Sequence, residues 1–452
     1  MLPKKTSLAL LTVAMLLGIL ARAGVLKPVD FGEIADFELR ETAPPEPLLK
    51  HPYRGDAPPG VPPAAGQKKL TSIEDPGKRL YPFYHALELA KTGQGVARVL
   101  HYGDSPTTAD SITADVRSLL QAEFGDAGHG FVLIAKPWPW YGHRGVEVHG
   151  SGWKIEAASQ NRAKDGYHGL GGVSFTGSPG AVSKIELETA HARVEVEYLR
   201  QPGGGTFSVS AGGVVLGDVD TEGDKGPGFA QFPIPAGATG VEITVKSGTV
   251  RLFGESFEKN SPGVIYNSLG VNGGQVQMVL RYYEPAQWTE QLQHQKPDLV
   301  VLNYGTNESS FTSYIDTIYG KELREVIARV KAALPGTPIL IMSPMDRGER
   351  RSDGTIGTIA TLPKLVEIQR KAAAETGCAF FNTYEAMGGE GTMGRWYAMQ
   401  PRLVSADFMH PLPQGARKVG LLLDQAIVAG YQEYERQRAA VRDAGKQVTE
   451  KR

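Results

Sequence analysis

The chain holds a single cysteine, Cys378, in 452 residues. One thiol cannot form an intramolecular disulfide, and it rules out a cysteine-built zinc cluster. Charge of one sign is also missing, because 48 Lys and Arg stand against 49 Asp and Glu. With neither a basic excess nor a basic block, nucleic acid is excluded as the main partner. Beyond the first 20 residues no run is apolar enough to span a bilayer. The 10 histidines show no H-x-x-x-H or other ligand spacing, so neither a catalytic metal nor another cofactor is indicated. What is abundant is glycine, at 55, and proline, at 30. That content suits loops and β-rich parts better than a helical protein. A length roughly three times that of a typical domain leaves room for more than one folding unit.

The N-terminus reads as a targeting segment. Lys4 and Lys5 precede 14 uncharged, mainly apolar residues, Ser7 to Leu20, and Ala21-Arg22-Ala23 supplies a small-x-small site. Residues 1–23 are therefore expected to be a signal peptide, with Gly24 as the mature N-terminus. The alternative is an uncleaved N-terminal anchor, which 14 residues are too short to favour. Loss of Lys4, Lys5 and Arg22 leaves 45 basic against 49 acidic residues, a mature charge of −4. The expected location is periplasmic or extracellular, with no stable membrane insertion after cleavage. Residues 24–69 form a Pro-rich linker, in which positions 41–66 carry eight prolines and can form neither helix nor ladder. A plain disordered leader is favoured there over a tether that spans a gap.

The remaining chain changes texture twice. Residues 70–149 begin an α/β unit. Leu80–Lys91 forms a helix, Arg98–Tyr102 a buried strand, and a second helix places Ile112, Val116, Leu119, Leu120 and Phe124 on one face before Gly125. Residues 150–258 alternate at period two between Gly-rich turns, as in KIELE (184–188), RVEVEYLR (193–200) and VEITVKSG (241–248). Seven or more such strands predict an inserted all-β sandwich. Residues 259–437 resume the α/β pattern, with strands at Asp298–Tyr304, Pro338–Met342 and Cys378–Asn382. Helices are expected near 311–334, 361–376 and 413–437, and residues 438–452 as a frayed, charged tail. Asp218-x-Asp220-x-Glu222-Gly223-Asp224 begins like a calcium loop, but Phe229 stands where the bidentate Glu belongs, so a solvated hairpin is favoured.

Four short blocks carry the chemistry: Gly103-Asp104-Ser105, Gly270-Val271-Asn272-Gly273-Gly274, Tyr304-Gly305-Thr306-Asn307-Glu308, and Asp407-Phe408-Met409-His410. Each falls at the C-terminal end of an expected strand or just before a helix, the edge where open α/β sheets assemble their sites. In this order the chain resembles the SGNH (GDSL-like) hydrolase superfamily, over roughly residues 95–145 and 259–430. The resemblance implies a flavodoxin-like parallel sheet sandwiched by helices, in an α/β fold. It also implies Ser105 as nucleophile, Asp407 and His410 as the rest of a triad, and Ser105, Gly273 and Asn307 as oxyanion donors.

The residue types make the same case. A serine hydroxyl needs a base to take its proton, and that base needs a carboxylate to fix its tautomer. Asp407 and His410 are spaced for such a pair. The Asn307 amide and the Gly273 N–H suit a developing oxyanion, because neither must give up a proton. Pro106 has no N–H, so the residue after the serine cannot act as an oxyanion donor as it does in α/β-hydrolases. No G-x-S-x-G occurs in the chain, which also argues against that fold. Pro106 does suit the first turn of a helix. Trp138 and Trp140 offer platforms for sugar rings, with buried packing as the competing reading.

An exported serine esterase with a β-insertion before its oxyanion glycine resembles bacterial peptidoglycan and polysaccharide O-acetylesterases, which carry a carbohydrate-binding-like module at a comparable place. The expected function is removal of acetyl groups from cell-wall or other polysaccharide through a Ser105 acyl-enzyme. The open alternatives are a polysaccharide O-acetyltransferase, a lipase-like acylhydrolase, and a non-catalytic glycan-binding protein.

Overall fold

A computed structural model describes residues 72–450. The expected signal segment and Pro-rich linker lie outside the described residues. In chain order β1 (Val96–Gly103) is followed by nine strands running to residue 258: β2 (Gly130–Val132), β3 (Val146–Ala157), β4 (Val173–Leu187), β5 (Arg193–Arg200), β6 (Thr206–Ala211), β7 (Val214–Asp220), β8 (Gly226–Pro233), β9 (Gly240–Ser247) and β10 (Val250–Glu258). Then come β11 (Gly263–Gly270), β12 (Leu299–Asn303), β13 (Ile339–Met342), a small hairpin of β14 (Gly348–Arg350) and β15 (Ile356–Thr358), and β16 (Ala379–Phe381). The principal helices are α1 (Tyr81–Lys91), α2 (Ser105–Thr108), α3 (Thr113–Phe124), α4 (Pro285–Gln295), α5 (Gly320–Ala333), α6 (Leu362–Thr376) and α7 (Pro413–Glu450).

Five strands pair in the order β11-β1-β12-β13-β16, all parallel. Counted along this sheet alone the order is 2-1-3-4-5, the flavodoxin-like arrangement, whose switch point lies beside its first strand. Both faces are covered by helices, which is why β13 and β16 read as unbroken apolar runs. On one face Val99, Leu299 and Val301 meet Leu87 of α1, Val116, Leu120 and Phe124 of α3, and Leu423 and Ile427 of α7. Leu119 is left out of that face at 36% exposure, because it falls at the flank of the buried stripe. On the other face Leu100, Tyr102, Val300 and Leu302 meet Trp288 and Leu292 of α4, Val326 and Val330 of α5, and Leu365 of α6.

That second core does not stop at the α/β layer. It continues through Phe131, Phe175, Ile185, Val194 and Phe207 into the inserted strands. Those strands form one nine-stranded sheet, antiparallel throughout its paired ladders. Its path runs from β7 to β8, and these two ends approach each other, since a Cβ on Gly217 would come within 2.8 Å of the Phe232 ring. The insertion is thus all-β and nearly closed around its own apolar interior.

Polar joints fix the two sheets together. The Phe131 N–H donates to Asn267 Oδ1 at 2.8 Å, while Asn267 Nδ2 donates to the Val99 carbonyl at 3.0 Å, so one side chain ties the insertion to both β11 and β1. From α4, Gln295 Nε2 donates to Glu197 on β5 at 2.8 Å, and the His294 ring stacks on Phe229 of β8 at 3.5 Å. The last helix is longer than expected, its backbone remaining helical to Glu450 where a frayed tail from residue 438 was anticipated. Ala, Arg, Gln, Lys and Glu dominate that stretch and all favour helix. Arg438 and Gln437 also anchor its start, on Glu88 of α1 and on Lys78 and Tyr81.

Glu255 on β10 is fully buried, and neither carboxylate oxygen has a hydrogen-bond partner. Burial pushes its pKa up to about 8, and Glu197 is raised in the same direction by burial and by neighbouring Glu195. In the unfolded chain such carboxyls ionise near ~4.3. The folded protein therefore holds protons that the unfolded chain has released. The stability these two carboxyls contribute is fully present below about pH 4 and is lost as pH rises towards 8, by several kcal/mol from Glu255 alone. Urea unfolding at pH 5 and pH 8 checks this: Glu255→Gln should show a clearly smaller loss between the two pH values than the parent protein.

Candidate active site

The site follows from strand register. Gly103 at the end of β1 pairs with Gly270 of β11 on one side and Asn303 of β12 on the other. Three strands thus end level, and the chain reaches Ser105, Gly273 and Asn307 within two to four residues of that line. Close approach explains the glycines. A Cβ on Gly103 would stand 2.2 Å from Thr107 Oγ1, and one on Gly270 would stand 2.0 Å from the Thr108 nitrogen. Without side chains there, α2 folds back onto the strand ends and presents Ser105 at its first position, with Pro106 in the next, where its missing N–H costs nothing.

The fourth block arrives from the loop before α7. Ser105 Oγ lies 2.8 Å from His410 Nε2, and His410 Nδ1 lies 2.6 Å from Asp407 Oδ2. The other Asp407 oxygen accepts the backbone N–H groups of Met409 and His410, each at 3.0 Å, and the Ser405 hydroxyl. Burial alone would raise Asp407, but the Ser405 hydroxyl, the His410 ring and the two N–H groups outweigh it and hold the carboxyl well below its usual range. It stays ionised, as an orienter of imidazole must. Phe408, between the two, adopts a φ of +58° and packs edge-on against Tyr397 at 4.8 Å.

On the opposite side, Asn307 Nδ2 donates to the Gly274 carbonyl at 2.9 Å, leaving its second N–H available. Gly273 is exposed at φ +69°, in a turn closed by Gly274 N–H to the Val271 carbonyl at 2.8 Å. Two carboxyls in the quoted blocks received no role from the sequence. Glu308, fully buried, accepts the Val276 N–H at 2.8 Å and the Gly305 N–H at 3.1 Å, so it ties the loops after β11 and β12 together. Asp104 is buried with Oδ2 unpartnered, and burial pushes its pKa up to about 6 against the opposing effects of Thr306 and His410. Arg347 was missed because no motif marks it. Its guanidinium donates to the Thr306 carbonyl at 2.8 Å and to Ser310 Oγ at 2.7 Å, which fixes the Asn307 loop from behind.

Ser105, Pro106, Ala109, Trp140, His410 and Pro411 line a cavity of about 440 Å³. Its volume suits a small ligand or a few units of a larger one. Trp140 is 53% exposed and stands at this cavity, whereas Trp138 is 3% exposed and belongs to the core. Trp138 is therefore no platform in the cleft. The first indole of W-P-W turns inward and the second outward. In the acidic hairpin, Glu222 is engaged by the backbone N–H groups of Gly203 and Gly204. Among the described residues no group of three or more His, Cys, Asp or Glu could hold a metal ion.

Chemically, the arrangement joins a hydroxyl to an imidazole and a fixed carboxylate, with unspent N–H donors across from it. Together with the parallel sheet, this is the arrangement of an enzyme that cleaves ester bonds. Residues 236–418 match the GDSL-like Lipase/Acylhydrolase family, a span that holds Gly273, Asn307, Asp407 and His410, while Ser105 lies upstream of it. Among solved structures the chain is similar to a peptidoglycan O-acetylesterase, at 22% identity and a TM-score of 0.68, over 80% of this chain and 99% of that one. It also matches a family two carbohydrate esterase from Clostridium thermocellum in complex with cellohexaose, at 13% identity over 62% of this chain and 100% of that one. The TM-score there is 0.29, and that likeness carries no weight. No curated protein matches the chain in sequence.

Two substitutions test the arrangement. Ser105→Ala should abolish hydrolysis of a short-chain aryl ester while circular dichroism stays unchanged. Asp407→Asn should lower kcat by up to about 10⁴, by allowing the wrong imidazole tautomer. Full activity in either folded variant would remove these residues from the chemistry.

Proposed function

We propose that the protein removes acetyl groups from peptidoglycan or another acetylated polysaccharide through a Ser105 acyl-enzyme. The observation that carries this reading is the unbroken hydrogen-bonded chain Ser105–His410–Asp407 opening into a cavity with an exposed indole at its side. In this reading His410 takes the Ser105 proton as the hydroxyl attacks the acetyl carbonyl. The tetrahedral oxyanion is met by the N–H groups of Ser105 and Gly273 and by the Asn307 amide. His410 then returns the proton to the departing sugar oxygen. Water, activated by the same imidazole, releases acetate and restores the serine.

Two further features support a polymeric substrate. The insertion is packed onto the hydrolase sheet beside the cleft, so it can offer a second surface to an extended chain. The similar solved structure, which spans nearly the whole of its own length on this chain, is a peptidoglycan O-acetylesterase. Among the described residues no helix is long and apolar enough to cross a membrane. In the same reading residues 1–23 export the protein and are removed, which places it with cell-wall substrates.

The test is acetate released from O-acetylated peptidoglycan and acetylated xylan, measured beside an aryl-ester chain-length series. Acetate release with a preference for acetyl over long acyl chains is expected. Long-chain esters cleaved with no acetate from glycans would make it a lipase-like acylhydrolase, and acetyl transfer to a chito-oligosaccharide would make it a transferase. N-terminal sequencing of the exported protein should begin at Gly24. Recovery of Met1 in the membrane fraction would show an anchor instead.

A further inference from the structure

On the oxyanion side of the site, Trp140 contacts the turn that carries Gly273. Val271, Asn272, Gly273 and Gly274 form a β-turn closed by the 2.8 Å hydrogen bond from Gly274 N–H to the Val271 carbonyl. Only its third residue, Gly273, has positive φ, at +69°, which is the signature of a type II turn. The central peptide of that turn carries the Gly273 N–H. In a type I turn the same peptide is turned over, and its N–H points to the other side. Glycine adopts either form at little cost, so the residue itself does not decide where the donor points.

Packing does not decide it either. A Cβ on Gly273 would meet nothing within 4 Å. The ends of the turn are anchored, by Val271 N–H to the Gly103 carbonyl at 3.1 Å and by Asn307 Nδ2 to the Gly274 carbonyl at 2.9 Å. Those bonds leave the middle peptide free to turn. The side-chain contact at the middle is Trp140 Nε1–H, which donates to Asn272 Oδ1 at 3.1 Å. The backbone on both sides of Trp140 is anchored, by buried Trp138 and by buried Tyr141, whose hydroxyl accepts the Leu133 N–H at 2.8 Å.

We infer that Trp140 is a positioning residue for the ester cleavage, holding Asn272 so that the Gly273 N–H faces the developing oxyanion. The inference rests on the Ser105 esterase reading and adds to it a control point on the connection between β2 and β3, outside all four motif blocks. A sugar ring stacked on the exposed indole would touch the same side chain that sets this donor, which would couple recognition of the glycan to oxyanion stabilisation.

The experiment compares Trp140→Phe, Asn272→Ala and the double variant on a short-chain aryl acetate, with crystal structures of the parent and of Trp140→Phe. Phenylalanine keeps an aromatic face and removes the N–H. Each single variant should lose about tenfold in kcat with KM changed less than about twofold, below the 10²–10³ expected for complete loss of one donor. The double variant should be no worse than either single one, since both remove the same link. In Trp140→Phe the Gly273 φ should become negative or mixed. Unchanged kcat in Trp140→Phe, additive losses in the double variant, or a Gly273 φ that stays positive and single-valued would overturn the inference. If the parent protein cleaves no ester, the esterase reading fails, and the two crystal structures alone still decide whether Trp140 sets the turn.

Discussion

The in-register pairing of Gly103 with Gly270 and Asn303 is the constraint on which the rest of the site depends. Parallel strands have evenly spaced, slanted hydrogen bonds, and here the register brings three neighbours to a level end although β12 starts three residues later than β1. The chemistry then needs only short loops to reach a common point, and short loops are stiff. A one-residue slip of β11 against β1 would carry Gly273 about a strand's rise along the sheet and turn the side chains of β11 to the opposite face. Residues from opposite ends of the chain are thereby held to hydrogen-bond tolerance by backbone pairing, before any side chain contributes.

Side chains refine what the backbone sets. Glu308 bridges the loops after β11 and β12, and Arg347 braces the second of these from behind. The Asp407 carboxylate is fixed by its own loop as well as by His410. Each fixed donor or acceptor lowers the reorganisation needed as charge develops on the substrate carbonyl. Electrostatic stabilisation of this kind commonly contributes more to such catalysis than any other effect. Buried Asp104 runs against that economy, with one oxygen unpartnered directly beside Ser105 in sequence. Its carboxyl is pushed towards the neutral form by burial, which lowers the cost of keeping it there.

Much of this was legible in the sequence because strand ends and motif blocks coincide. Short strands alternating with helical segments announced the α/β part, and period-two alternation announced the β-insertion. Ser105, Asp407 and His410 meet as their spacing and residue types implied. What stayed hidden depends on tertiary direction. Nothing in W-P-W says which indole turns inward, and the structure buries Trp138 while exposing Trp140. The partnership of Asn272 with Trp140 spans 132 positions and is carried by no local pattern. Nor does composition reveal that the insertion shares its core with the hydrolase sheet, because apolar faces look alike whether they close on themselves or on a neighbour.

That shared core fixes the mechanics of the cleft. Many proteins that grip polymers close two lobes about a hinge, and their bite changes with the hinge angle. Here only four residues separate the end of β10 from the start of β11, and Asn267 bonds across the joint to both sheets. Opening the lobes would expose Phe131 and its neighbours to water. The gap above Ser105 therefore has a set width. Which substrates fit must be tuned by exchanging residues along its rim, such as Trp140, and not by altering the swing of one lobe against the other.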